Sequence, residues 1–409
     1  MNKKPSLRAF FLSRPRVEWY FCKIMQTVFS ILLRDLFGFP IWSWMLVGII
    51  CLLWVIQFIY LLKYHWPLGK IRAEEHNLEQ PGVSIVVSAR NEEKNLMMNL
   101  PKWMEQDYPN FEVIVVNDTS YDDTADILNA LAVSYPRLHV IHIDEEKQNM
   151  QGKKFALTLG IKGAKNEIIL FTDADCSPRS NNWISSIVAR HHSGVEIVLG
   201  YSPFEKRKGW VNKLARFDNA LVGLQYLGAA KVGRPYMGVG RNLSYTQSVF
   251  FKVGGFRSHY SLISGDDDLL INQVAKKGNT AIAYDLDAQT ISPAKSTMAE
   301  WRTQKKRHFS TSPHYKGKDK RWLSIFPTTW FLMHALSLFT ILLVPMLYPV
   351  LALIFLRNVL VWAVYFRFAK VTQQSTDIAW LSPLLEAQLM FLHVSLYFSN
   401  LISKPQKWS

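Results

Sequence analysis

The chain has 409 residues, of which 49% are hydrophobic and 13% aromatic, a composition that excludes a disordered or fibrous protein and suits two or three domains. Its formal charge of +15, from 47 Lys and Arg against 32 Asp and Glu, points to anionic partners: nucleic acid, anionic lipid or a phosphorylated substrate. Three cysteines without paired spacing, Cys22, Cys51 and Cys176, argue against a disulfide framework and a thiolate zinc site.

Taken in chain order, residues 1–40 carry seven Lys and Arg and two acids, and 17–37 read as an amphipathic segment lying along a membrane interface. Residues 41–62 are uncharged and, as a helix of about 33 Å, long enough to cross a bilayer. The apolar run is too long for a cleavable signal. A polar stretch, 67–323, has the composition of a soluble domain. Beyond it the region 324–402 is apolar again, with three expected spans at about 324–347, 350–369 and 379–402, or two as the alternative. Arg357 interrupts the middle one and has to face protein or snorkel. Residues 301–321 hold eight Lys and Arg and one acid, and the positive-inside rule places that end, and the polar domain with it, in the cytoplasm. Charge clustered beside apolar spans fits a membrane better than nucleic acid, so no nucleic-acid partner is expected.

Within the polar stretch, 82–88, 111–117, 138–143 and 167–172 are short β-branched runs, separated by helical patterns at about 92–106, 122–135 and 151–164. Strand–helix–strand repetition predicts an α/β domain with a mostly parallel sheet covered by helices. Ligands bind beyond the carboxyl ends of such strands, and the acids sit there. Ala89-Arg90-Asn91-Glu92-Glu93 follows the first strand, Asn117-Asp118 the second and Asp173-Ala174-Asp175 the fourth. Asp122 or Asp123 reads as a helix cap, and Glu93 as charge favoured by the helix dipole. Asp118 reads as a site acid or a turn residue. Asp173 and Asp175 converge on one point. Like charges so close call for a cation, and hard oxygens favour Mg or Mn with phosphate completing the shell. A second acidic run, Asp266-Asp267-Asp268, opens a helical pattern. One of the three caps it, and another is free to take a proton from an attacking hydroxyl. Residues 209–230 have helical spacing with one apolar face, as a core helix or one resting on the membrane.

The ordered set SARNEE, NDTSYDDT, GKKFAL, FTDADC, YMGVGRNLSY with FFKVGGF, SGDDDLL and QKKRH is similar to that of the membrane-integrated family-two glycosyltransferases over about 81–310. The resemblance implies a GT-A-type, Rossmann-like fold and inverting transfer of a sugar from a nucleotide donor, with uridine the commonest base. It implies that Glu92 and Asp118 hold base and ribose, that Lys153 lies beside the nucleotide, and that Asp173 and Asp175 bind metal and diphosphate. It further implies Asp266 as general base, with Gln304 and Arg307 along the diphosphate. Asn117 stands where a second acid is usual. His308 stands where polymer-forming members carry Trp, which tilts the expectation from a processive polysaccharide synthase towards one sugar added to a lipid or lipid-linked acceptor. A catalytically inactive nucleotide-sugar-binding subunit and a transporter are the rival readings. The implied setting is a bacterial inner membrane.

Overall fold

The computed structural model describes residues 23–27, 41–70, 80–143, 152–192, 194–343 and 347–402. The interfacial segment expected within 1–40 lies outside the described residues, apart from a helical stretch over 23–27.

The polar domain is built on a seven-stranded sheet of order β3-β2-β1-β4-β7-β6-β8. Its strands are β1 (Val83–Ala89), β2 (Phe111–Asn117), β3 (Leu138–His142), β4 (Ile168–Phe171), β6 (Ile197–Gly200), β7 (Leu243–Thr246) and β8 (Thr280–Ala283). β5 (Ser177–Pro178) and β9 (Thr290–Ile291) form a separate antiparallel ribbon. β1 pairs in parallel with β2 and β4, and β2 with β3, as the β-branched runs predict. Strands buried on both faces are apolar throughout rather than alternating, and β2 is buried at every position. β7 enters antiparallel to β4 and β6, an insertion the sequence reading did not contain.

Helices α2 (Glu93–Met104), α3 (Thr124–Ser134) and α4 (Lys153–Gly163) make the crossovers, each within two or three residues of its expected limits. A core of Ile85, Val87, Leu96, Trp103, Val113, Leu128, Leu170 and Trp183 packs on one face of the sheet, and α5 (Trp183–Val188) contributes to it. Against the other face, Gly160 on α4 lies over Val86 of β1, closer than any side chain there would permit. The helix expected over 209–230 is α6 (Trp210–Lys231), and its burial extends around the cylinder, including Arg216 and Asp218. That makes it a core helix of the domain. The remaining elements are α7 (Gln247–Lys252), α8 (Asp268–Val274), α9 (Met298–Phe309), closed by a Thr297/Glu300 capping box, α12 (Asp377–Trp380) and α13 (Ser382–Ile402).

Among the described residues three helical stretches are long and apolar enough to cross a membrane: Trp42–Gly69, Gly317–Leu343 and Tyr348–Val371. The first begins as α1 (Ile41–Tyr60), widens through a π turn at Leu61–His65 and then tightens in a 3₁₀ turn to Gly69; the others belong to α10 (Gly317–Leu343) and α11 (Leu347–Val371). Two of the three expected C-terminal spans coincide with these stretches; α13, over the third, carries Glu386, Gln388, His393 and Asn400 and is not among them. The described residues of 41–57 and of 328–357 belong to a compact unit of their own. In it Val47, Ile50, Leu53, Met333 and Val350 pack together. Arg357 faces protein: it is buried, and its Nη2 donates to Gln57 Oε1 at 3.1 Å, while Gln57 Nε2 donates to Thr329 Oγ1 at 2.6 Å. An intramembrane guanidinium is tolerated only with such partners.

Candidate active site

The site begins at the carboxyl ends of β1, β2 and β4. Asn91 turns with φ 56°, its N–H donating to Ser120 Oγ and its Oδ1 accepting from Tyr121 N at 2.8 Å. Asp122 accepts from Thr124 N at 3.2 Å and from Glu93 N at 3.3 Å, and Glu93 accepts from Asp123 N at 3.3 Å. Asp122 and Glu93 are thus reciprocal caps of two helix N-termini, the role their sequence positions suggest. This stitching fixes the loops that carry Glu92 and Asp118.

Asp118 is buried; desolvation pushes its carboxyl up, with Arg90 and the backbone of Gly152 opposing. Glu92 is pushed up to about 7 by burial, against the hydrogen bond from Asn95, with repulsion from Asp175 and Asp173 adding to the rise. The Glu92 carboxyl therefore shares its field with the DxD pair.

Lys153 stands at the start of α4, after Gly152 at φ 121°. A lysine in a helix's first turn faces unfavourable dipole charge, and carboxylates hold it here. Its Nζ donates to Asp173 Oδ1 at 2.8 Å and lies 3.2 Å from Asp266 Oδ2. Burial alone would lower its pKa; Asp173, Asp266 and Asp267 outweigh that and raise it. One ammonium thus joins the end of β4 to the loop before α8. Lys153, Thr172, Asp173, Gly240, Asp266 and Asp267 line a cleft whose apolar wall includes Leu157, Phe171 and Tyr245.

The three acids of the second cluster divide the work. Asp267 caps α8, accepting from Asp268 N at 2.7 Å and from Gly240 N at 2.7 Å, and burial together with Asp266 and Asp268 pushes it up to about 7. Asp268 accepts from Thr311 Oγ1 and from Tyr315 Oη, and is buried. Asp266 points to Lys153. Although burial opposes it, the ammonium holds the Asp266 carboxyl below its ordinary range and so ionised.

The donor set suits a hard divalent cation. One oxygen each of Asp173 and Asp175 and the Cys176 sulfur lie within 4.8 Å of one another. Desolvation and repulsion from Asp173 raise the Asp175 pKa, a penalty that a bound cation relieves. Burial raises the Cys176 thiol, which stays protonated and donates to Asp175 Oδ1 at 3.3 Å. Of the three groups, the two carboxylates are the hard donors that a divalent cation would take, and the sulfur is a hydrogen-bond donor beside them.

Gln304 and Arg307 lie on α9 and are not among the residues lining the cleft. Arg307 Nε is buried without an acceptor among the described residues. Lys305, one of the basic residues of 301–321, pairs with buried Asp218. Trp301 is a packed core residue, whereas His308 is exposed.

Two cations escaped the sequence reading. Lys154 Nζ donates to the carbonyls of His259 (2.6 Å), Leu262 (2.8 Å) and Ser264 (2.8 Å), and so fastens the loop that delivers Asp266. Arg241 stacks over Phe204 at 4.4 Å, donates to Ser292 Oγ and Asn219 Oδ1, and lowers the Asp175 pKa from a distance. The only signal for either was its place inside a quoted motif block.

The architecture is of the GT-A type. It aligns with a mannosyltransferase of Pyrobaculum calidifontis, solved with GDP-Man and Mn2+, at a TM-score of 0.57 and 20% identity, over 87% of this chain and 99% of that one. Residues 84–259 match the family described as Glycosyl transferase family 2. Among curated relatives, the glycosyltransferase AglE of Haloferax volcanii is 30% identical over 190 residues, 46% of this chain and 59% of that protein. The 4,4'-diaponeurosporenoate glycosyltransferase of Staphylococcus aureus is 27% identical over 168 residues, 40% of this chain and 44% of that protein. The chain thus spans less than two thirds of these curated relatives' length.

Proposed function

We propose that this protein is a membrane-bound, inverting glycosyltransferase that moves a sugar from a nucleotide donor, with UDP-sugars first in line, to the hydroxyl of a lipid or lipid-linked acceptor at the cytoplasmic face of a bacterial inner membrane. The observation that carries the reading is the Lys153 bridge, which brings the Asp173 and Asp266 carboxylates to one ammonium at the mouth of an α/β sheet. The match to the family, the relatives' names and a structure of the same fold holding GDP-Man and Mn2+ support it.

In this reading Glu92 and Asp118 hold the nucleoside, and Asp173 with Asp175 would hold Mg or Mn. The cation supplies Lewis-acid neutralisation of charge on the leaving diphosphate. Lys153, already ionised, turns its remaining donors to the same phosphates. Arg307, whose buried Nε lacks an acceptor among the described residues, offers a planar fork, and Gln304 one turn earlier lies beside it. Asp266 takes the proton of the acceptor hydroxyl as that oxygen bonds to the anomeric carbon. The bond from that carbon to the diphosphate oxygen breaks, and the leaving nucleotide keeps the electron pair. While Lys153 is paired with Asp266 the carboxylate is a weak base. Drawing the ammonium towards donor phosphate raises its basicity, so proton abstraction is favoured once the donor is seated. A membrane setting would supply lipid acceptors in two dimensions.

The test is incubation of the purified full chain with a panel of nucleotide-sugars, Mn2+ or Mg2+ and total membrane lipids, with products read by mass spectrometry. A glycosylated lipid that fails to form with Asp266→Asn is the expected result. Sugar transfer undiminished in that variant overturns the assignment of the base, and no product from any donor overturns the function.

A further inference from the structure

Helix α13 is apolar on both faces, which is unusual for a helix of a soluble domain. Its inward stripe holds Glu386, 1% exposed, with Leu385, Leu389, Met390, His393, Leu396 and Asn400. Polar groups on that stripe meet partners on the catalytic domain's own helices. His393 Nε2 lies 3.4 Å from Asp218 Oδ1 on α6, and Asn400 Nδ2 donates to the Lys306 carbonyl on α9 at 2.9 Å. Along one edge Trp210 Nε1 donates to Gln388 Oε1 at 2.8 Å, and Phe309 meets the His393 ring edge-on at 5.0 Å. The opposite stripe is apolar and bare: Leu384, Phe391 (64% exposed), Val394, Phe398 and Ile402, with Trp380 just ahead of it and Tyr397 beside it. Both stripes recur at three- and four-residue spacing, so they are two faces of one continuous helix.

A helix fastened along its length to α6 and α9 cannot also stand across a bilayer apart from them. A bare row of large apolar side chains is equally out of place in water. The flanks decide between possible covers. Arg302 of α9 is exposed and reaches Ser395 Oγ at 3.5 Å, and Lys206 reaches Ser375 Oγ at 2.8 Å, just ahead of Trp380. Arg207 and Lys208 are exposed next to Lys206. Apolar residues edged by exposed Trp and Tyr and then by Lys and Arg match the layering of an anionic membrane surface: acyl chains, then the glycerol region, then phosphate. We infer that α13 lies flat in the headgroup layer of an anionic bilayer, with its bare apolar stripe roughly 5–10 Å into the acyl boundary, and that its inward stripe holds α9 against the domain. The inference does not depend on the chemistry proposed for the cleft, and its readout involves no turnover.

Depth-resolved quenching tests it. Leu384→Cys, Phe391→Cys and Phe398→Cys are made singly in a full chain with Cys22 and Cys51 replaced by serine; Cys176 is buried and stays. Each is labelled with an environment-sensitive fluorophore in phosphatidylglycerol-containing nanodiscs, with Val133→Cys as the solvent control. Lipids brominated near the headgroup end of the chain should quench all three helix labels alike, lipids brominated near the chain terminus should quench them weakly, and the control should stay bright. The outer two positions are about 21 Å apart along the axis at ~1.5 Å per residue. If the helix crosses the membrane, at least one of the three labels is quenched most by the terminal bromines and the others less, which overturns the inference. Three labels untouched by either lipid mean that the stripe faces protein, and overturn it equally.

Discussion

Lys305 and Asp218 form an enclosed ion pair, with side chains 12% and 2% exposed, that ties α9 to α6. Burial alone would push the Asp218 carboxyl up; Lys305 and His393 overcome it and hold Asp218 at about 2. Removing one partner leaves the other charge buried and unpaired, which typically costs about 3–5 kcal/mol. Lys305→Ala should therefore lower the thermal midpoint of the detergent-solubilised protein sharply, while Lys305→Arg recovers part of the loss. An unchanged midpoint in Lys305→Ala would show that the pair is immaterial.

The same pair sets an acid limit. A carboxyl whose folded pKa lies below its ordinary value of about 3.9 stabilises the fold fully above that value, and the contribution disappears as pH falls through the folded pKa. Asp377, held at about 2 against burial by its bidentate contact with Arg216, acts in the same sense. Thermal midpoints should rise as pH falls from about 7 to 4, where Glu92 and Asp267 take up protons in the fold first, and then fall between about 4 and 2 as Asp218 and Asp377 are protonated. Asp218→Asn should flatten part of that fall.

Asp266→Asn keeps shape but removes the base and one of the three carboxylates that hold Lys153. Turnover should drop by about 10²–10⁴, the usual worth of a positioned general base. Calorimetric donor affinity should hold or improve, because the lysine is released towards phosphate. Loss of donor binding in step with turnover would move Asp266 from the acceptor to the donor side.

Asp173→Asn and Asp175→Asn bear on the cation. Chelation should abolish transfer and weaken nucleotide binding, with Mn2+ or Mg2+ restoring both in the parent and neither variant recovering at the same cation concentration. Transfer that persists through chelation would leave neutralisation of the leaving diphosphate to Lys153 and Arg307.

Gly228 on α6 lies against the carbonyl of Tyr64, where an added Cβ would sit 1.9 Å from the oxygen. The obstruction is backbone, which cannot swing aside. Gly228→Ala should destabilise by at least the ~1–3 kcal/mol of ordinary overpacking, read as a lowered melting temperature with the far-UV spectrum retained. A neutral result would mean that the Leu61–His65 turn is free to shift away.

The parallel half of the sheet was legible from sequence because β1, β2 and β4 are buried on both faces, and their apolar β-branched runs have no competing reading. β6, β7 and β8 were not. Each has four residues, and segments such as Leu243–Thr246 and Thr280–Ala283 carry too few apolar positions to show a period. Their pairing is set by neighbours distant in sequence, as where β7 lies between β4 and β6. The limits of the site were similar. Acids at strand ends announce themselves, whereas Lys154, satisfied by three carbonyls more than a hundred residues away, looks like any lysine opening a helix.

By itself the sequence determined the alternation of strand and helix, the apolar ends, Arg357's need for a partner and the acids at the strand tips, because all of these follow from local periodicity or from the cost of burying charge. Tertiary structure alone decided which of three consecutive aspartates meets Lys153, that Lys305 turns inward to Asp218, and that α13 buries Glu386 rather than leaving it exposed. Each of these depends on which elements pack together, and a side chain's charge or hydropathy does not encode its partner.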